Sequence, residues 1–243
     1  MQETENKIPS LSVIMPCLNE ENTVGICIGE ALTFMKNQRI SGEVIVVDNG
    51  SSDLSAEVAV QHGAFVITEP EKGYGSAIRA GLAAARGSVL IIGDCDSTYD
   101  FLHMEEIYAP LERGECDMVI GNRYAGEMEQ GAMSFSHRWG VRFLSFLARR
   151  RFHTDVYDFH CGLRGMTKTA ADTLRLHTDG MEFATEMIAE AARKHLRILQ
   201  VPVSLKMCKY QRNSKLRTVR DGVRHLRYII TSGRRKSFPE KEK

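Results

Sequence analysis

Residues 90–100 read LIIGDCDSTYD. Counting Val89, an apolar run of four ends at a glycine, and two aspartates, Asp94 and Asp96, follow one residue apart. A short unbroken apolar run bounded by glycine is the pattern of a strand buried on both faces. The aspartates therefore stand where such a strand leaves the core. In extended chain, residues i and i+2 point to the same side, so both carboxylates face one point, where a cation offsets their repulsion. Hard oxygen ligands suit Mg²⁺ or Mn²⁺, which takes few protein ligands and completes its shell with water and phosphates. A nucleotide diphosphate is the natural bridging group. A solvated acidic loop, or caps for a helix starting near Phe101, explains the same residues. The triplet alone does not choose.

Outward from this stretch, short apolar runs alternate with helical patterns, the signature of βαβ units on a mostly parallel sheet. The runs predict strands over Leu11–Met15, Glu43–Val47, Ala64–Thr68, Ser88–Ile92, Asp117–Gly121 and Leu199–Val203. Helices are expected over Glu20–Gln38, Asp53–Gln61 and Ser76–Arg86, the last closed by Gly87 as a C-terminal glycine. The alternation is clear to about Gly121 and weaker beyond. The expected organisation is a flexible 1–9, one domain over 10–231 and a polar tail over 232–243. Within the domain, 10–121 forms a nucleotide-binding half and 122–231 an acceptor half.

Ligands of open α/β sheets bind beyond the carboxyl ends of the strands. Three polar clusters fall there: Pro16-Cys17-Leu18-Asn19-Glu20, Asp48-Asn49-Gly50-Ser51-Ser52-Asp53 and Asp94-Cys95-Asp96. They are expected to converge on one crevice. Asp48 or Asn49 can accept from a nucleobase or ribose, whereas Asp53 is better read as a helix cap. Gly73-Tyr74-Gly75 is not a dinucleotide fingerprint, because Ile78 stands where the pattern needs a third glycine. It reads as a loop whose backbone approaches a ligand. Lys72 can meet phosphate, and Arg79 is read as a surface charge.

Composition narrows the class further. The chain has 243 residues, 43% hydrophobic, enough for one generous α/β domain. Its formal charge of +1 gives no basis for a nucleic-acid partner. Six cysteines are scattered without metal spacing, the usage of a reduced intracellular protein. MQETENKIPS at the start is not a secretory signal, and no stretch reaches the roughly 18 apolar residues of a membrane span. A cytoplasmic location is expected, peripheral on the membrane face if the acceptor is a lipid.

With these pieces in order (LSVIMPCLNEE, VIVVDNGSSD, EKGYGSAIRAGLAAARG, LIIGDCDS, VIGNRY, DFHCGLRGM, MEFATEM, SKLRTVRDGVRHLRYI), the chain resembles the family 2 glycosyltransferases. It is most similar to the polyprenyl-phosphate sugar synthases of the dolichol-phosphate mannosyltransferase type. The resemblance runs from about residue 10 to 231. It implies a GT-A fold and metal-dependent transfer, with inversion, from a UDP- or GDP-sugar. It places Pro16, Leu18, Glu20, Val47 and Asn49 around base and ribose, with Asn49 standing where the mannosyl synthases carry a second aspartate. It makes Asp94, Cys95 and Asp96 the metal and diphosphate motif. It sets Arg123, Lys209 and Lys215 around the phosphates. Arg164 takes the motif arginine and Glu186 the acidic position on the helix after the acceptor region; Asp96, Arg123, Arg164 and Glu186 form the implied catalytic set.

The chemistry agrees with this. Breaking a sugar–phosphate bond develops negative charge on the leaving diphosphate, which a divalent ion with Arg and Lys stabilises. A phosphate-monoester acceptor is already anionic and needs holding by cations such as Arg123 and Arg164. An alcohol acceptor needs a base, for which Glu182 or Glu186 are the candidates; Glu182 reads more readily as a solvated face or an ion pair. The remaining alternatives are a soluble or glycan acceptor, a sugar nucleotidyltransferase and a silent nucleotide-sugar binding module. The nucleotidyltransferase needs a glycine-rich loop with basic residues that PCLNEE lacks.

Two stretches suggest a membrane surface. HRWGVRFLSFLARRRFH (137–153) mixes aromatics with arginines, and 215–231 sets Leu216, Val219, Val223, Leu226 and Ile230 beside Arg217, Arg220, Arg224 and Arg227. From Lys206 to Lys236 there are eleven Lys/Arg against one acid, Asp221. Basic amphipathic helices of this kind suit an anionic bilayer; packing of the apolar side on the core is the competing arrangement. Many relatives continue into transmembrane helices, whereas this chain ends TSGRRKSFPEKEK.

Overall fold

A computed structural model describes residues 8–208, 210 and 218–232. In chain order its elements are β1 (Leu11–Cys17), α1 (Val24–Gln38), β2 (Gly42–Asp48), α2 (Ser55–Gln61), β3 (Phe65–Thr68), α3 (Tyr74–Ala84), β4 (Val89–Ile92) and α4 (Glu105–Glu112). There follow β5 (Met118–Asn122), α5 (Phe135–Phe152), β6 (Arg164–Thr167), α6 (Lys168–Thr173), α7 (Phe183–Arg193), β7 (Ile198–Pro202) and α8 (Thr218–Thr231). All seven strands form one sheet in the order β3-β2-β1-β4-β6-β5-β7.

The apolar runs explain the centre. Every residue of β4 is buried, as is β2 from Val44 to Asp48. β1 pairs in parallel with both, Ile14 lying opposite Ile45 on one side and Ile92 on the other. This register brings the carboxyl ends of β1, β2 and β4 side by side. Helix α1 buries Val24, Cys27, Ile28, Ala31 and Met35, the spacing of one helical face. Each of the six strands expected from sequence is present within two residues of its expected ends.

The structure adds β6, which lies antiparallel to β4 and β5 and separates them. No apolar run announces it, because its first residue is an arginine. Arg164 is nevertheless buried: its guanidinium donates to the carbonyls of Cys161, Ala184 and Phe159. Helix α1 starts at Val24 rather than at Glu20, since the preceding residues form a turn on the Glu20 carbonyl. Helix α3 ends before Gly87, and Ala85 leaves it in extended geometry. Gly87 is needed for a different reason: a Cβ there would come within 2.5 Å of the Ser12 nitrogen on β1.

Gly73 and Gly75 admit the protein's own backbone. A Cβ on Gly73 would lie 2.1 Å from the Asp179 carbonyl, and one on Gly75 would lie 2.2 Å from that of Thr178. Gly75 N–H donates to Asp179 O. Arg79 completes the contact, bonding Thr178 O and the Asp179 carboxylate; it is a structural pair, not the surface charge expected. Loop 176–181 is thus clamped on the start of α3.

Helices α5 and α8 form where the amphipathic patterns predicted helices, and they pack on each other. α8 buries His225 and Ile229, while Val219, Val223 and Ile230 face solvent. Leu216 and Arg217 lie outside the described residues, as do residues 1–7 and 233–243 of the expected flexible ends. Among the described residues no helix is long and apolar enough to cross a membrane.

Three predictions follow from this packing. Gly75→Ala is expected to destabilise the fold by about 1–3 kcal/mol, because the new methyl must displace backbone. Gly29→Ala in α1, where a Cβ meets nothing within 4 Å, should instead stabilise by about 0.5–1 kcal/mol in denaturant unfolding. His225, bonded to Thr185, is pushed down to about 4 by burial and the nearby Arg224 and Arg164. The unfolded chain takes up that proton below pH 6.5 and the folded chain does not, so stability falls as pH drops from 6.5 towards 4. The contribution is about 3 kcal/mol, and His225→Phe should flatten the wild-type stability–pH curve by about that much.

Candidate active site

Beyond the carboxyl ends of β1, β2 and β4 lies a cavity of about 680 Å³. It is of the size that takes a small-molecule ligand. The first cluster reaches it through Pro16, Leu18 and Glu20, the second through Asn49, and the third through Asp94, Cys95 and Asp96. Arg123, just past β5, and Lys72 line it as well. The expected convergence of the three clusters is therefore the geometry observed.

Local bonds set each group. Asp96 accepts from Thr98 N and Thr98 Oγ1, a tight turn that carries Ser97 at φ 60°. The intervening Cys95 is buried and donates to the Pro16 carbonyl at 3.3 Å, tying this turn to the end of β1. Asp94 packs against Gly162, where a Cβ would come within 2.3 Å of Oδ2. Tyr99 continues the link: its hydroxyl accepts from Gly162 N at 2.8 Å. Loop 158–162 is thereby held over the acidic pair. Arg123 anchors the same loop by a two-pronged bond to Asp158, at 2.7 and 2.8 Å, with the carboxylate fully buried. Burial opposes the charge on Arg123, but Tyr99 and Asp158 hold it well above the usual guanidinium range.

Asn49 shapes the end of the cavity next to β2. Its amide donates to the carbonyls of Glu69 and Glu71, and its Oδ1 accepts from Gly73 N. Lys72 Nζ reaches the Asn49 carbonyl at 2.9 Å. Asp48 accepts from Ser51 N, and Asp53 accepts from Ser55 N and from Glu21 N; the N-cap position of α2 is Leu54, so Asp53 closes the turn before the helix and is not the N-cap expected. The side chain of Val47 lies under Gly81 of α3, in the core.

Several expected residues are placed elsewhere. Arg164 is consumed by backbone carbonyls and does not line the cavity, so no phosphate contact is available to it. Glu186 Oε2 accepts from His177 N, Thr178 N and Thr178 Oγ1. It anchors loop 176–181 in place of facing the cavity. Lys209 and Lys215 lie outside the described residues. Glu182 pairs with Arg224 at 2.7 Å, the ion pair considered for it, and this draws Arg224 off the expected membrane-facing stripe.

Sequence reasoning missed the far wall. His137, Val141 and Leu144 of α5, His160, Met181 and Ala184, and Arg220, Arg224 and His225 of α8 all line the cavity. The only sequence signal was the histidine within DFHCGLRG. Next to this wall α5 exposes Phe135, Trp139, Phe143 and Phe146, each 49–77% accessible, along one side at i, i+4, i+8 and i+11. Arg142 lies 5.4 Å from the Tyr124 ring, and Arg150 5.3 Å from that of Phe146.

The fit to a divalent ion rests on the donor set. Among the described residues no three His, Cys, Asp or Glu side chains gather as metal ligands. Two carboxylates in one cavity, with the shell completed by phosphate and water, is the mode of Mg²⁺ or Mn²⁺; Asp94 and Asp96, which both line the cavity, fit it.

Comparison with known proteins agrees with the architecture. The sequence pattern described as Glycosyl transferase family 2 matches residues 12–175. The low-salt glycan biosynthesis hexosyltransferase Agl6 of Haloferax volcanii is 36% identical over 225 residues, covering 92% of this chain and 54% of that protein. The chain thus spans about half the length of that relative. The dolichyl-phosphate beta-glucosyltransferase of Drosophila melanogaster is 30% identical over 79% of this chain and 66% of its own. Glucosyl-3-phosphoglycerate synthase from Mycobacterium tuberculosis, solved with Mn²⁺, UDP-glucose and phosphoglyceric acid, superposes with a TM-score of 0.73 at 22% identity, over 94% of this chain and 82% of that one. That likeness establishes the GT-A fold. The chain belongs to glycosyl transferase family 2.

Proposed function

We propose that this glycosyltransferase moves a hexose from a UDP- or GDP-sugar to a polyprenyl phosphate at a membrane surface, with inversion at the anomeric carbon. The observation that carries the reading is the double face of α5. Val141 and Leu144 line the cavity while Phe135, Trp139, Phe143 and Phe146 stand in solvent on the same helix. Arg138, Arg142 and Arg150 flank that stripe, and α8 adds Val219, Val223 and Ile230. An apolar stripe with arginines beside it lies in the headgroup region of an anionic bilayer. A lipid phosphate drawn from that layer enters along the apolar wall.

The reaction is an in-line displacement. An acceptor phosphate oxygen forms the new bond to the anomeric carbon as the bond to the donor diphosphate breaks, and the nucleoside diphosphate leaves with the electron pair. The divalent ion, when bound at Asp94 and Asp96, supplies charge stabilisation for that leaving group. Pro16, Leu18, Glu20 and the bonded residues Asn49 and Lys72 bound the nucleotide, and Arg123 is the fixed cation next to the phosphates. Asp48 and Val47 hold the end of β2 behind them.

Neither candidate base is available: Glu186 takes three hydrogen bonds from loop 176–181, and Glu182 is paired with Arg224. A phosphate monoester needs no base, since it is ionised near neutral pH. The name of the Drosophila melanogaster relative supports the same acceptor class.

The test uses labelled UDP-glucose and GDP-mannose with Mn²⁺ and anionic vesicles carrying undecaprenyl or dolichyl phosphate. Label from one donor should enter the lipid phase. The Trp139→Asp, Val223→Asp pair should lower that transfer at least tenfold relative to transfer onto a short-chain phosphate in solution. Label passing only to a water-soluble acceptor such as phosphoglyceric acid, whatever the vesicles, would overturn the lipid acceptor.

A further inference from the structure

Two histidine rings meet at the far wall of the cavity. His160 and His225 have ring centroids 4.4 Å apart at an interplanar angle of 73°, and both line the space. Hydrogen bonding decides what each can offer. Phe159 N–H donates to Ser145 Oγ at 3.3 Å, and the same hydroxyl lies 3.3 Å from His160 Nδ1. The hydroxyl can donate its own proton to Nδ1, and in that tautomer the imidazole proton sits on Nε2. Nε2 is buried and has no hydrogen-bond partner among the described residues. His225 Nδ1 likewise lies 2.8 Å from a hydroxyl, Thr185 Oγ1.

Buried donors are nearly always satisfied, and an orphan in a native site marks where a ligand supplies the acceptor. An anion suits such a donor. Arg220 lines the same cavity, together with Arg123 and Arg224, whose guanidinium groups are paired with Asp158 and Glu182, and with the acid Asp221. Burial, reinforced by His225, Arg123, Arg164 and His137, holds His160 well below 6.5, so it meets that anion as a neutral donor. Its neighbours Val141 and Leu144 are apolar, unlike the strand tips that carry Asp94 and Asp96.

We infer that His160 is an acceptor-binding residue whose Nε2–H donates to an oxygen of a phosphate monoester with an apolar tail. The inference rests on the acceptor class proposed above. It adds the residue that holds the acceptor's head. A hydrogen bond to a charged oxygen, lost on substitution, corresponds to about a 10- to 100-fold change in affinity.

The experiment compares wild type, His160→Phe and His160→Gln. Phenylalanine keeps the ring shape without the donor, and glutamine places an amide N–H near the Nε2 position. KM is measured for farnesyl phosphate, with farnesol and inorganic phosphate as competitors, beside the Kd of UDP or GDP with Mn²⁺ and the melting temperature. His160→Phe should raise the farnesyl phosphate KM 10- to 100-fold at unchanged nucleotide Kd, and His160→Gln should recover most of that loss. In wild type, inorganic phosphate should compete where farnesol does not if the headgroup alone is read; competition by neither means that head and tail are recognised together, which also fits. Competition by farnesol but not by inorganic phosphate would overturn the inference, since the tail alone would then be bound. An unchanged KM in a folded His160→Phe protein would overturn it while leaving the proposed function standing. Equal losses in both variants with a matching rise in nucleotide Kd would assign His160 to packing and overturn it too. Failure of wild type to glycosylate any phosphate monoester would sink the proposed function itself.

Discussion

The buried pair between Arg123 and Asp158 is the interaction on which the site depends. It joins the tip of β5 to loop 158–162 with a carboxylate of zero exposure. Removing one partner of such a pair strands a charge in the interior, at a cost of about 3–5 kcal/mol. The geometry served is larger than the pair. That loop lays Gly162 against Asp94, receives the Tyr99 hydroxyl from the acidic turn and carries His160 to the far wall. An error in its placement would therefore move the acidic pair and the histidine together.

A second constraint comes from β6. Inserted antiparallel between β4 and β5, it continues the sheet past the acidic turn and brings Arg164 into the interior. That arginine gathers carbonyls from loop 158–162 and from the start of α7. Glu186 and Arg79 then hold loop 176–181 from its two sides. Charged side chains that resemble catalytic candidates thus act as fasteners for the loops around the cavity. The cavity itself keeps the acidic pair, Arg123, Lys72 and the histidine wall.

The legible part of the sequence was the part written in apolar runs. β1, β2 and β4 announce themselves because both faces are buried, and the polar residues at their ends converge because parallel strands in register must end together. β6 was illegible because a buried arginine satisfied by carbonyls looks, in sequence, like any exposed arginine. The pair Gly73 and Gly75 suggested a loop whose backbone approaches a ligand, and only the fold shows that their close partners are the carbonyls of residues 178–179. Glu186 looked like a base for the same reason: a single acidic letter does not show how many donors surround it. The far wall was hidden because α5 and α8 line it with one face and expose the other, so their patterns read as surface helices.

The central claim is that Asp94 and Asp96 hold a divalent cation only together with a nucleoside diphosphate. Electron paramagnetic resonance of Mn²⁺ titrated into the protein, with and without UDP or GDP, measures this directly. The account predicts weak binding of Mn²⁺ alone, tightened at least tenfold by one of the two nucleotides and abolished by Asp96→Asn. Nucleotide binding of equal strength with and without Mn²⁺, or Mn²⁺ affinity that survives the loss of Asp96, would contradict it.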